Sequence, residues 1–249
     1  IIAKRNLGAT LARVRQYINV CKPKYYMPYA GMFETPLVRD NDITKINLKN
    51  KYTDLKQIAE SLGVKFIKPD NAQKINLLNG EICEALSDLI DLPDPKNSLE
   101  IFKKENPQLK QHELLEYFSE SGFSCNQILQ IIQTDDNFKP IEDVFTFVQF
   151  GKKIIVKELK LNQIIHQKKG FDVMIMYVRY ESLSHLIRNK MPWEDLTIGY
   201  QCRILREPNI YEAEFWYHFT NIYIKGIHRR SIRDCRSCSV LETKLDKFI

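Results

Sequence analysis

The sequence predicts an α/β arrangement that passes into an α+β layer domain with an antiparallel sheet. Three observations carry this. Helical and short strand patterns alternate through the first ninety or so residues. The stretch 171–180 is apolar on both alternating sides. Period-two segments between 144 and 205 are joined by turn residues and interleaved with helical spacing.

Taken in order, residues 8–20 repeat Leu11, Val14, Tyr17 and Ile18 at helical spacing. Cys21-Lys22-Pro23 ends that helix, because the residue before a proline is pushed out of the α region. Tyr25 to Pro28 reads as a short buried strand, and 37–50 as a polar loop. A helix over 52–62, with Leu55, Ile58, Ala59 and Leu62, leads through Gly63 to a strand at 64–67. A strand at 75–78 is stopped by the turn pair Asn79-Gly80. Residues 90–110, with Pro93, Pro95 and Pro107, read as a polar connector and the domain boundary.

From Leu109 to Ile132 the pattern reads as helical. Residues 144–150 alternate, and Gly151-Lys152 turns them into a second strand at 153–159. In the third strand Val173, Ile175 and Tyr177 lie on one side and Met174, Met176 and Val178 on the other, so it is expected to be central. Leu183, Leu186 and Ile187 mark a helix over 181–190, and 196–205 reads as a fourth strand. Glu207-Pro208 is expected to open a last helix running to Phe219, with proline at an early helical position. The divisions that follow are 1–92, a connector at 93–110, an α+β domain at 111–224 and a basic tail at 225–249.

Composition narrows the function classes. A net charge of +6 over 249 residues favours an anionic small-molecule partner. No aromatic–basic signature accompanies it, so nucleic acid is set aside. Apolar runs are too short to span a bilayer, which sets the membrane aside too. Neither a G-x-G-x-x-G nor a G-x-x-x-x-G-K-[ST] pattern occurs, so a glycine phosphate cradle is not expected. Cys21, Cys83, Cys125 and Cys202 are scattered as in a reduced, cytoplasmic protein. Cys235 and Cys238 form a lone C-x-x-C, half of what a structural zinc site requires. The chain begins Ile1-Ile2-Ala3-Lys4-Arg5 and ends Lys247-Phe248-Ile249, which reads as a piece of a longer protein.

Several residues admit a chemical and a structural reading. Arg203 suits a bidentate contact to phosphate or carboxylate, or an ion pair to Glu194, Asp195 or Glu207. Arg203 and Arg206 lie three apart, so on one strand they face opposite ways and cannot clamp one phosphate together. Trp193 and Trp216 read as core anchors, and His218 as a structural histidine with no partner in the pattern to make it an acid or base. Asp135-Asp136 offers paired carboxylates but reads as a turn before Phe138-Lys139-Pro140. The run Lys225, Arg229, Arg230, Arg233, Arg236 reads as a solvated face.

Four stretches carry a family resemblance. The run from Trp193 to Tyr211 (WEDLTIGYQCRILREPNIY), closed by Phe215-Trp216-Tyr217-His218-Phe219, resembles the C-terminal region of the CMP-N-acetylneuraminate hydroxylases. Pro28-Tyr29-Ala30-Gly31-Met32-Phe33-Glu34 resembles that family's P-F-A-G-Y-F-x-E, and Glu116 to Phe123 its E-Y-F-x-x-A-G-F, with Ser121 in place of the alanine. Gln133 to Pro140 resembles its E-T-D-E-D-F-N-P. The order of the four is the family's own, and 35–110 matches least.

The resemblance implies the end of a metallo-β-lactamase-like domain over 1–92, within a Rieske-associated oxidoreductase acting on a nucleotide-linked sugar. It implies Tyr29, Gly31 and Glu34 at the substrate cleft. The bland reading of that segment is a packed turn in which Gly31 supplies a positive φ. Iron or zinc and a [2Fe-2S] cluster would belong to the parent protein, with an electron-transfer protein as partner. The chain departs from the pattern: neither H-x-H-x-D-H nor the C-x-H and C-x-x-H pair is present. No cofactor is therefore expected within these residues, and taken alone they are expected to be inactive. A metallo-β-lactamase-fold hydrolase and a non-catalytic ligand-binding or dimerisation module stay open as alternatives, as does a homo-oligomer.

Overall fold

A computed structural model describes residues 2–28, 37–46, 49–68, 73–76, 78–85 and 94–222. The chain forms two compact units that meet between Ser98 and Leu99.

The first unit contains α1 (Ile2–Cys21), β1 (Tyr25–Tyr26), α2 (Asn41–Ile46), α3 (Tyr52–Ser61), β2 (Lys65–Phe66), β3 (Gln73–Ile75) and β4 (Ile82–Ala85). Strands β1 and β2 pair in parallel, Tyr25 with Lys65 and Tyr26 with Phe66, which is the α/β arrangement expected. Ile18 of α1, Ile58 and Ala59 of α3 and Val64 form its core. The expected strand at Tyr25 is half-buried rather than buried, and the expected loop at 37–50 carries α2. Asn79-Gly80 does turn β3 into β4, with Gly80 at φ 68° and a side chain there blocked by the Tyr25 ring.

Helix α4 (Pro95–Glu105) occupies most of the stretch read as a connector. Pro95 is compatible with it because a first-turn proline lacks only an N–H that would be unsatisfied anyway. Residues beyond it build a helix-on-sheet layer: α5 (Gln111–Glu120), β5 (Gln127–Thr134), β6 (Val144–Gln149), β7 (Ile155–Lys160), β8 (Asp172–Arg179), α6 (Tyr180–Arg188), α7 (Glu194–Ile198), β9 (Cys202–Glu207) and α8 (Ala213–Asn221).

The sheet order is β7-β6-β5-β8-β9. It is mixed rather than antiparallel, because β5 and β8 run parallel, Gln127 beside Asp172 through Thr134 beside Arg179. The missed strand is β5. Ile128, Ile131 and Ile132 mimic helical spacing, but Gln127–Thr134 is almost wholly buried between two strands, and such a strand loses its period-two signature. Likewise 196–205 is not one strand: Gly199 ends α7 and β9 starts only at Cys202. The last helix starts at Ala213, not at Pro208, since Glu207 still pairs with Val173.

Helices α5, α6 and α8 each present apolar residues three and four apart to one face of the sheet: Leu114, Tyr117 and Phe118; Leu183, Leu186 and Ile187; Phe215, Trp216 and Phe219. They meet Leu129, Ile131, Val148, Met174, Met176 and Val178. Trp193 sits fully buried among them, as expected of a core anchor, and its Nε1–H donates to the Tyr117 hydroxyl at 2.7 Å. His218 is also buried, its Nε2 2.7 Å from the Ser121 carbonyl, which is the structural role expected. Ile128, Ile132, Val173 and Ile175 point to the other face, which is packed by Leu161, Ile164 and Phe171.

Candidate functional site: an arginine pair at the strand ends

The parallel strands β5 and β8 finish side by side at Thr134 and Arg179. Outside the carboxyl ends of parallel strands is where α/β sheets characteristically bind ligands. Here the chain leaves β5 through a tight turn. Asp135 Oδ1 accepts from the N–H of Asn137 at 2.8 Å and of Lys139 at 2.9 Å, so Asp135 acts as the turn residue expected of it. The turn puts Phe138 at φ 60°.

Two guanidinium groups lie over the Phe138 ring, Arg179 Cζ 4.7 Å and Arg203 Cζ 4.0 Å from its centroid. Arg179 is fully buried. Its Nε and Nη2 donate to the Asp136 carbonyl at 3.2 and 3.0 Å, and its Nη1 to Gln201 Oε1 at 3.2 Å. Arg203 Nη1 donates to the carbonyls of Tyr200 at 3.3 Å and Cys202 at 3.1 Å. These contacts fix the orientation of both guanidinium groups, which are planar donors suited to carbonyl and anionic oxygens. Arg203 is half-buried and reachable, whereas Arg206 is on the opposite face beside Met174, as the spacing required.

The Asp136 carboxylate is occupied by Lys103, Nζ to Oδ2 2.8 Å. Burial alone would lower the Lys103 pKa, but the hydrogen bond and charge of Asp136, with Glu100 and Glu181, outweigh it and leave it raised. Tyr180 is pushed up by burial, with the charge of Glu181 adding to it. Arg179, Phe138, Gln201 and Lys103 escaped the sequence reading. The one available signal was an arginine closing an otherwise apolar strand.

Elsewhere, a cleft of about 390 Å³ opens at the start of α5, with Gln111, Gln133, Glu142, Thr146 and Glu158 among its lining. It shares no lining residue with the arginine pair. Tyr29, Gly31 and Glu34, the basic run from Lys225 and the Cys235–Cys238 pair all lie outside the described residues. Among the described residues no group of three His, Cys, Asp or Glu side chains could hold a metal ion, so they do not fit the iron or zinc that the resemblance implies. No described helix is long and apolar enough to cross a membrane.

No family model and no solved structure matches the chain. Curated proteins do. It is 26% identical to the cytidine monophosphate-N-acetylneuraminic acid hydroxylase of Mus musculus over 223 residues, covering 82% of this chain and 37% of that protein. To the Xenopus laevis hydroxylase it is 27% identical over 223 residues, with 82% and 36% covered. To the Sus scrofa hydroxylase it is 25% identical over 217 residues, with 80% and 48% covered. The chain thus spans between a third and a half of these relatives' length. The similarity covers about four fifths of the chain, well past the four short stretches, and by sequence this chain is similar to the cytidine monophosphate-N-acetylneuraminic acid hydroxylases.

Proposed function

We propose that this chain is the substrate-holding part of an oxygenase that acts on a nucleotide-linked sialic acid or a similar anionic sugar. The observation that carries the reading is the arginine pair over Phe138 within a chain similar along four fifths of its length to such hydroxylases. In this reading Arg203 donates to a phosphate or carboxylate of the substrate, the recognition a planar guanidinium suits. Arg179 and Gln201 hold Phe138 and the start of β9 in place beneath it. In this reading Tyr29, Gly31 and Glu34 are substrate-binding residues because the family resemblance implies it, and 1–92 is the end of a metallo-β-lactamase-like domain. The described residues hold no three-ligand cluster. The redox centre that hydroxylation requires is therefore assigned to other residues of the protein, with a reduced electron-transfer protein as partner.

The test is titration calorimetry of the chain with CMP-N-acetylneuraminic acid and with CMP. Arg203→Ala should weaken binding about ten-fold or more, the value of one charge-assisted hydrogen-bond set. Binding that is absent, or indifferent to Arg203, removes the reading. In the complete protein supplied with dioxygen and reductant, the product should gain one oxygen atom while the other leaves as water; cleavage of the substrate instead would favour the hydrolase.

A further inference from the structure

The sheet has two edges, and they differ. On β7 the outer edge carries Lys157 and Lys160, which guard a strand against pairing. On β9 the edge presents Cys202-Arg203-Ile204-Leu205-Arg206-Glu207, and no described strand pairs with its outer side. Leu205 is 54% exposed there.

The hydrogen-bond phase of β9 follows from one contact. The Arg179 N–H donates to the Gln201 carbonyl at 3.1 Å. In an antiparallel ladder this parity turns the backbone groups of Arg203, Leu205 and Glu207 toward β8, and those of Cys202, Ile204 and Arg206 outward. Any strand added to this edge must bond to Ile204 and Arg206.

We propose that the occupant is β9 of a second copy of this chain, antiparallel about a two-fold axis at Leu205. Outward phase permits axes only where Ile204 and Arg206 bond to residues of their own parity, which restricts the register to a few choices. An axis at Arg203 sets arginine against arginine. An axis at Ile204 sets Arg203 against Leu205. An axis at Leu205 sets Leu205 against Leu205 and Arg203 against Glu207, twice by symmetry. These are non-hydrogen-bonded pairs, in which side chains approach most closely. In the same register Ile204 and Arg206 exchange backbone hydrogen bonds. The next pair would oppose Cys202 to Pro208, which has no N–H to donate, and the Cys202 carbonyl already accepts from Arg203 Nη1 at 3.1 Å. The ladder therefore stops without orphaning that acceptor. The apolar centre, the charge pairs and the stop all fall in one register. The pairing does not depend on the substrate reading of Arg203, since no ligand enters it.

Sedimentation velocity of the whole chain over rising concentration tests this. The wild type should pass from monomer to dimer. Glu207→Arg places arginine opposite Arg203, and Arg203→Glu places glutamate opposite Glu207; each alone should weaken association about ten-fold or more. An equimolar mixture of the two restores both opposite-charge pairs and should give a mixed dimer by native mass spectrometry. Because Arg203→Glu loses the Phe138 stack, Leu205→Lys serves as a second probe: two like charges at the axis should abolish the dimer. A wild type that stays monomeric, a dimer indifferent to Glu207→Arg or Leu205→Lys, or folded charge variants that fail to associate when mixed would each overturn the proposal.

Discussion

Tyr117→Phe tests how the aromatic core of the helix-on-sheet unit is held. The substitution deletes one oxygen and leaves the ring, which stacks on Trp193 at 6.3 Å and on Phe219 at 6.2 Å. What it removes is the acceptor of the Trp193 Nε1–H, bonded at 2.7 Å. Tyr117 is 4% exposed and Trp193 0%, so water cannot replace the hydroxyl without opening the core. The cost is therefore the penalty of an orphaned buried donor, about 1–3 kcal/mol, rather than the smaller net value of a hydrogen bond, about 0.5–1.5 kcal/mol. The assay is urea unfolding followed by tryptophan fluorescence. Both tryptophans, Trp193 and Trp216, belong to this unit, so the signal is blind to the first unit. The double variant Tyr117→Phe/Trp193→Phe removes donor and acceptor together. Its loss should be less than the sum of the two single losses by about 1 kcal/mol or more. A single-variant loss below about 0.5 kcal/mol, or simple additivity, would refute the claim that this N–H depends on Tyr117.

Two further outcomes follow from titratable groups. Glu113 accepts from Arg188 Nε at 2.8 Å and Nη2 at 3.2 Å and from the Lys110 N–H at 2.9 Å. The hydrogen bond from Arg188 comes first among the influences and outweighs burial, so its pKa is lowered. Its stabilisation is present above the ordinary carboxylate range and is lost as pH falls through the lowered folded value. Glu113→Gln should cost about 1 kcal/mol at neutral pH, and chemical denaturation should show the gap to wild type closing in acid; a pH-independent gap would contradict the ion pair. Burial pushes the Cys202 thiol up to about 12 despite Arg203 and Arg206. At mildly alkaline pH an alkylating agent should modify exposed Cys21 in the native chain and Cys202 only in denaturant, read by peptide mass spectrometry; native labelling of Cys202 would refute its burial.

Local pattern was enough for the elements whose burial is one-sided. Helices α3, α5 and α6 keep an apolar stripe at i, i+3 and i+4, so their period survives in the sequence. The tryptophans, His218 and the Asp135 turn were legible for the same reason: each role is set by burial or by neighbours a few residues away. Tertiary structure alone decided the rest. Strand β5 is buried on both faces, which erases its period, and its parallel pairing with β8 cannot be read from either strand. The arginine pair exists because Thr134 and Arg179, 45 positions apart in the numbering, end in the same register, and because a left-handed residue swings Phe138 beneath Arg203. Sequence determined which residues want burial and which carry charge; only the sheet's order decided which charges meet, since a strand's neighbours are set by long-range packing and not by its own pattern.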